Sequence, residues 1–94
     1  MSGHVFGQLK HTIANMTFEN NKVATAKQYI ATQGVTSNQV LQLMNMMVFE
    51  SNRLELAKFA YAYTADPHRY FIVNNGFTYG SSIDQLNRFI GAIS

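Results

Sequence analysis

Three histidines, five acids and a run of methionines are the residues of this chain with chemistry to offer. His4 and His11 stand seven positions apart. On one helix they share a face but lie about 10 Å apart along the axis, too far to ligate one metal ion. Zinc takes its histidine pairs within a single turn, and the sequence holds no such pair. His68 would have to fold against them with a carboxylate nearby, so all three read as surface or cap residues. Met44-Asn45-Met46-Met47 offers soft thioethers of the kind copper(I) prefers. Met44 and Met47, however, fall on the apolar stripe of a helix, where methionine fills irregular gaps. Only Met46 is left to face elsewhere.

The acids are Glu19, Glu50, Glu55, Asp66 and Asp84. Glu19 and Glu50 stand at helix starts, where negative charge is favourable. Each also precedes a cation by three residues, Lys22 or Arg53, a spacing that pairs charges on a helix. Asp66 and Asp84 read as helix caps, and Glu55 alone has no structural assignment. No two acids are set as general acid and base. No serine sits in a nucleophile elbow, and no glycine-rich loop precedes a helix as a phosphate cradle. Cysteine is absent, which removes a thiolate zinc site, a disulfide framework and a thiol nucleophile. The expectation is a protein that is not an enzyme and takes no cofactor and no metal.

Binding chemistry is better represented. Seven aromatic residues, from Phe59 to Tyr79, crowd into 21 positions, more than a chain of 94 residues can bury. Phe59, Tyr63 and Tyr70 are expected to form an aromatic surface near Arg69, since tyrosine and arginine are enriched where proteins meet. The same mixture stacks single-stranded bases. Lys27 and Lys58 each follow an alanine in the middle of a helix. Their stems are expected to cover the small side chain while the ammonium reaches water; the sharper alternative is a cationic strip for an acidic partner.

These residues must be positioned by helices. Val5/Phe6, Leu9, Ile13 and Met16 recur at three and four, an amphipathic pattern. Thr17 is placed to cap a second helix buried through Val23, Ala26 and Ile30 and stopped by Gly34. Thr36-Ser37-Asn38-Gln39 has capping-box spacing ahead of Val40, Leu43, Met44 and Met47. Ser51 is placed to cap a fourth helix through Leu54, Ala57, Ala60 and Tyr61. Asp66-Pro67 starts a short fifth helix, ended by Asn74-Asn75-Gly76. Ser81 and Asp84 have capping-box spacing before a stripe of Ile83, Leu86, Ile90 and Ile93.

The second and fourth helices are also alike in sequence. FENNKVATAKQYIAT at 18–32 and FESNRLELAKFAYAY at 49–63 share six identities at an offset of 31: Phe18/Phe49, Glu19/Glu50, Asn21/Asn52, Ala26/Ala57, Lys27/Lys58 and Ala31/Ala62. Self-similarity at this period predicts a helix–turn–helix unit stacked on a copy of itself. The expected fold is therefore all-α: residues 1–94 as a single helical domain, a compact stack of two α-hairpin repeats with flanking N- and C-terminal helices.

Charged residues make up 13% of the chain, against about 25% in a typical domain. Asn, Gln, Ser and Thr must supply much of the polar surface. The net charge of +2 is spread over scattered cations, with no run resembling a nucleic-acid arm. No stretch of about 18 apolar residues is present to span a membrane, and no signal peptide is visible at the start.

The series F-E-x-N-K at 18–22, T-S-x-Q-V at 36–40, F-E-S-x-R-L at 49–54, D-P-H-x-Y at 66–70 and G-F at 76–77 resembles the domain-of-unknown-function family 4476 from about Phe6 to Ile93. The resemblance implies a small helical accessory domain, mostly bacterial and often exported, and it brings no catalytic residues. The reading that follows is a noncatalytic protein-interaction module, with Phe59, Tyr63, Arg69 and Tyr70 as the contact patch and Lys27 and Lys58 at its edge. Self-association is a second use for the surplus aromatics. An apolar-ligand or lipid carrier, with Met and Phe lining a cavity between hairpins, is the first alternative. Weak nucleic-acid binding is the second, opposed by the scattered charge.

Overall fold

Ser2 opens the first helix, its hydroxyl accepting from the Val5 N–H. A computed structural model describes all 94 residues, Met1–Ser94. The elements are α1 (Gly3–Ala14), α2 (Glu19–Gln33), α3 (Ser37–Met44), α4 (Glu50–Tyr61), a 3₁₀ helix (Pro67–Gly76) and α5 (Gly80–Ile93). The only strand-like pairing is an isolated parallel bridge between Val35 and Thr64. The fold is all-helical, as expected, and measures 33 × 25 × 18 Å, about two helix layers in its thinnest direction. No helix is long and apolar enough to cross a membrane.

Helix α4 lies at the centre, with α2 on one side, α5 on the other, and α3 and the 3₁₀ helix packed on it. One buried cluster of 17 residues draws on all six helices. Phe6, Leu9 and Ile13 enter it from α1, and Val23, Ala26 and Ile30 from α2. Val40, Leu43 and Met44 come from α3, followed by Met47 beyond its end. Small Ala57 and Ala60 on α4 let neighbouring helices approach closely. The expected stripes hold in α2 and α3, whereas Val5 of α1, Tyr61 of α4 and Ile83 and Ile90 of α5 are only half-buried, and three further residues depart. Met16 lies past the end of α1 and is half-buried, with Thr25 donating to its sulfur. Leu56, not Leu54, is the fully buried leucine of α4. Ile93 on the last turn of α5 is exposed.

Two local signals act as read. Thr36 and Gln39 form the capping box: the Thr36 hydroxyl accepts from the Gln39 N–H, and the Gln39 side chain accepts from the Thr36 N–H. Gly34 stops α2 at φ 71°, a conformation that costs a residue with a Cβ but not glycine. Asp66-Pro67 does start a helix, but of 3₁₀ type. Its tighter winding brings Gly76 against α3, where a Cβ would lie 2.7 Å from Met44 Cε.

Five expected caps are replaced. Thr17, Ser51, Asp66, Ser81 and Asp84 make no side-chain cap bond to their own helices. The N-cap positions of α2, α4 and α5 are instead Phe18, Phe49 and Tyr79, all in extended backbone. A ring cannot accept a hydrogen bond from the helix start. The orphan N–H groups must find an acceptor elsewhere.

Candidate interaction surface

The acceptor for α4 comes from α2. Glu19 accepts from the N–H groups of Val48 and Phe49 and, at 2.7 Å, from the side-chain amide of Asn52. Glu50 repeats the arrangement one helix on. It accepts from the N–H groups of Thr78 and Tyr79, at 3.1 and 3.0 Å, and from the Ser82 hydroxyl at 2.7 Å. The acid expected to cap its own 3₁₀ helix does the same for α3: Asp66 Oδ1 accepts from the Ser37 N–H at 2.7 Å and from the Ser37 hydroxyl at 3.0 Å. Each carboxylate thus serves the start of another helix, where aligned peptide dipoles favour negative charge.

The electrostatics agree. Partial desolvation pushes Glu19 up. The donors Val48 N–H, the Asn52 amide and Phe49 N–H, with the Lys22 charge, outweigh it and hold the carboxyl below its usual 4.5. Desolvation likewise raises Glu50, and Thr78, Tyr79, Ser82 and the Arg53 charge bring it below 4.5. For Asp66 the Ser37 N–H is the largest influence and holds the carboxyl below 3.8. The pairing expected between each glutamate and the cation three residues on is therefore secondary. Arg53 donates to the Met47 carbonyl at 2.7 Å and the Gly76 carbonyl at 3.0 Å. Glu55 has a role after all, 3.4 Å from Lys27.

Because Glu19 and Glu50 chain the three helix starts together, the residues at those starts share one edge of the molecule. Phe18 is 69% exposed, Val48 79%, Phe49 61% and Tyr79 61%. These four form an apolar ridge that reasoning from the sequence did not identify. A signal was present. Phe18 and Phe49 match at the 31-residue offset but stand outside the buried pattern of their helices, and a repeated apolar residue off the core stripe has no packing reason to recur.

The expected patch is only partly assembled. Phe59 and Tyr63 stack with centroids 5.3 Å apart, and Lys27 Nζ lies 5.4 Å above the Phe59 ring. Arg69 is exposed on the 3₁₀ helix. Tyr70 was expected at the surface; it is buried, its hydroxyl donating to the Ala57 carbonyl and its ring edge-on to Tyr61 at 5.1 Å. Burial pushes the phenol above its usual value. Tyr70 belongs to the core and leaves the patch. Lys58 lies on the other side of α4, 5.7 Å above Phe89 of α5. Each of the two ammonium groups therefore lies over an aromatic ring, and the cation–π contact holds it against its neighbouring helix.

Neither concavity in the structure is lined by methionine. An open groove of about 820 Å³ runs along α1 from Gly3 to Thr12, reaches Tyr29, and includes His4 and His11. A smaller one of about 180 Å³ lies between the 3₁₀ helix and α5. Met44 and Met47 are packed into the core and Met46 against it, so the methionine-lined cavity of the carrier alternative is not among these concavities. His, Asp and Glu side chains do not gather in threes as a metal site would require.

Fold and caps together define a small all-helical domain braced by carboxylates from helix to helix. The chain belongs to the DUF4476 family, a domain of unknown function, whose family model matches residues 1–90. No curated protein and no solved structure matches it.

Proposed function

We propose that the protein is a noncatalytic interaction module whose protein partner docks on the ridge of Phe18, Val48, Phe49 and Tyr79. The observation that carries this reading is that four large apolar side chains are exposed at adjoining helix starts, three of them, Val48, Phe49 and Tyr79, on backbone N–H groups held by Glu19 and Glu50. Side chains on backbone fixed in advance leave less chain to order on binding, and aromatic anchors dominate interface energies. Solvent-facing apolar groups gathered along an edge mark interaction sites more often than scattered ones do.

Phe59, Tyr63 and Arg69, with Lys27 over the Phe59 ring, remain candidates for a second contact face near the other end of α4, and Lys58 stands apart from them over Phe89. The ridge is preferred because its rings are free, whereas each lysine already has an aromatic partner. The noncatalytic part rests on how the acids are used: Glu19, Glu50 and Asp66 each accept from backbone N–H groups, and Glu55 pairs with Lys27.

A photoreactive phenylalanine analogue placed at positions 18, 49 and 79 in the organism that makes the protein tests the reading. All three should capture the same discrete partner, and exposed Gln33 and Gln85 should capture none. No adduct at the ridge, or the same adducts at the control positions, would contradict it.

A further inference from the structure

Asn75-Gly76 ends the 3₁₀ helix, and its two residues differ sharply in burial. Asn75 is exposed and Gly76 is buried. Backbone conformation does not demand glycine at position 76, because Gly34 is the only residue of the chain with positive φ. Packing does. A Cβ there would lie 2.7 Å from Met44 Cε, 3.1 Å from Leu41 Cδ1 and 3.4 Å from Met44 Cβ, and Met44 is itself fully enclosed. The Gly76 carbonyl also accepts from the Arg53 guanidinium at 3.0 Å. The fold therefore fixes a glycine directly after a solvated asparagine.

That pair is the most reactive setting an asparagine can have. A side chain on the following residue shields that residue's peptide nitrogen; glycine leaves it bare. Asparagine is for this kind of reason among the thermolabile residues. No other asparagine of the chain precedes glycine. Several are also held: Asn52 by Glu19, Asn15 by the His11 carbonyl and Asn38 by Gln42. A regular α-helix protects its asparagines, because each peptide N–H is engaged and the backbone cannot swing its nitrogen toward the side chain. Gly76 is the last residue of a 3₁₀ helix, where hydrogen bonds are poorer and ends fray.

We propose that Asn75 is a site of spontaneous deamidation, a one-way modification felt at the ridge through Gly76. The Gly76 peptide nitrogen gives up its proton and bonds to the side-chain carbonyl carbon of Asn75. The side-chain nitrogen takes up a proton and leaves as ammonia. The succinimide so formed then adds one water. Opening at one carbonyl gives aspartate; opening at the other gives isoaspartate, whose main chain runs through the former side chain and is one methylene longer. No oxidant, reductant or cofactor is needed. Either product lowers the net charge of +2 by one. Isoaspartate does more, because the lengthened backbone lies directly before Gly76. It displaces the glycine from its seat against Met44 and its carbonyl from Arg53. Just beyond, the Thr78 and Tyr79 N–H groups rest on Glu50, and Tyr79 is the ridge residue carried by this segment. The modification itself does not depend on the ridge having a partner.

The test is incubation of the folded full chain for days at physiological temperature and mildly alkaline pH. Peptide mapping with electron-transfer fragmentation then tells aspartate from isoaspartate. Residue 75 should gain one dalton, with isoaspartate in excess, well before any other asparagine changes. Asn75→Gln, an exposed change whose longer side chain closes its ring far more slowly, should hold its mass. The isoaspartate form, separated by ion exchange, should unfold at lower urea than fresh protein and show shifted Thr78 and Tyr79 amides by NMR. Asn75→Asp carries the charge without the methylene and should keep the midpoint of fresh protein. An Asn75 that reacts no faster than Asn74, or a mass gain confined to protein unfolded in urea, overturns the site. An isoaspartate form with the midpoint and the Thr78 and Tyr79 shifts of fresh protein overturns the coupling to the ridge.

Discussion

Tyr70 shows how much one hydroxyl decides. Counting aromatics places it at the surface, yet its O–H finds the Ala57 carbonyl 13 residues back, and its ring closes the core against Tyr61. Nothing in the local sequence distinguishes this tyrosine from Tyr63, because the acceptor belongs to a different helix. Tyr70→Phe should cost about 1–2 kcal/mol in urea unfolding, since the carbonyl loses a buried donor. Met44 makes the parallel case for packing. It is fully buried and touches the place a Cβ would occupy at Gly76. Met44→Ala should destabilise by about 2–5 kcal/mol, the cost of a large core truncation. An unchanged unfolding midpoint would contradict the core assignment of either residue. The copper reading of the methionine run fails for the same reason: two of its three thioethers are enclosed by the core.

At the scale of elements, the governing device is a carboxylate that caps a different helix. Local caps were legible where donor and acceptor lie within a turn, as with Thr36 and Gln39. Glu19, Glu50 and Asp66 were legible only as acids at helix starts, because the groups they bind lie 28 to 33 residues away. The self-similarity at 31 residues carried that information indirectly: a glutamate repeated at the repeat length is placed to meet the next unit. It overstated the likeness of the units, since the partner of α3 is a 3₁₀ helix. Glu50→Gln should cost about 1 kcal/mol, the size of a helix cap, with Glu19→Gln similar. The pH dependence follows from the direction of the shifts. A folded pKa below the usual value contributes stability that is complete above the unfolded pKa and lost as pH falls through the folded one. For Glu19 and Glu50 that loss begins near 4.5, and for Asp66 near 3.8. Wild type should therefore lose stability in urea titrations from about pH 5 to pH 3. The Glu19→Gln/Glu50→Gln protein should lose visibly less; an equally steep fall would place the acid-sensitive groups elsewhere.

Over the whole molecule, low charge and scattered cations match what the structure shows. Lys10 reaches Gln42 and covers Phe6, Lys27 covers Phe59, Lys58 covers Phe89, and Arg53 ties Met47 to Gly76. Cations spent on holding neighbouring elements together do not build a field for a polyanion. Hydrophobic periodicity placed most of the core, because burial in a helical domain follows the three-to-four spacing, but it missed Val35, Leu56, Tyr70 and Val73. The ridge escaped that logic: Phe18, Phe49 and Tyr79 stand at N-caps, outside any periodic stripe. If these side chains serve recognition and not the fold, their removal should leave stability alone. Urea unfolding of the Phe18→Ser/Phe49→Ser/Tyr79→Ser protein is the most direct measurement. An unfolding free energy within about 0.5 kcal/mol of wild type is the predicted result, as for surface substitutions away from structural features. A loss of about 2 kcal/mol or more would mean that the ridge is part of the fold and that the working surface lies elsewhere.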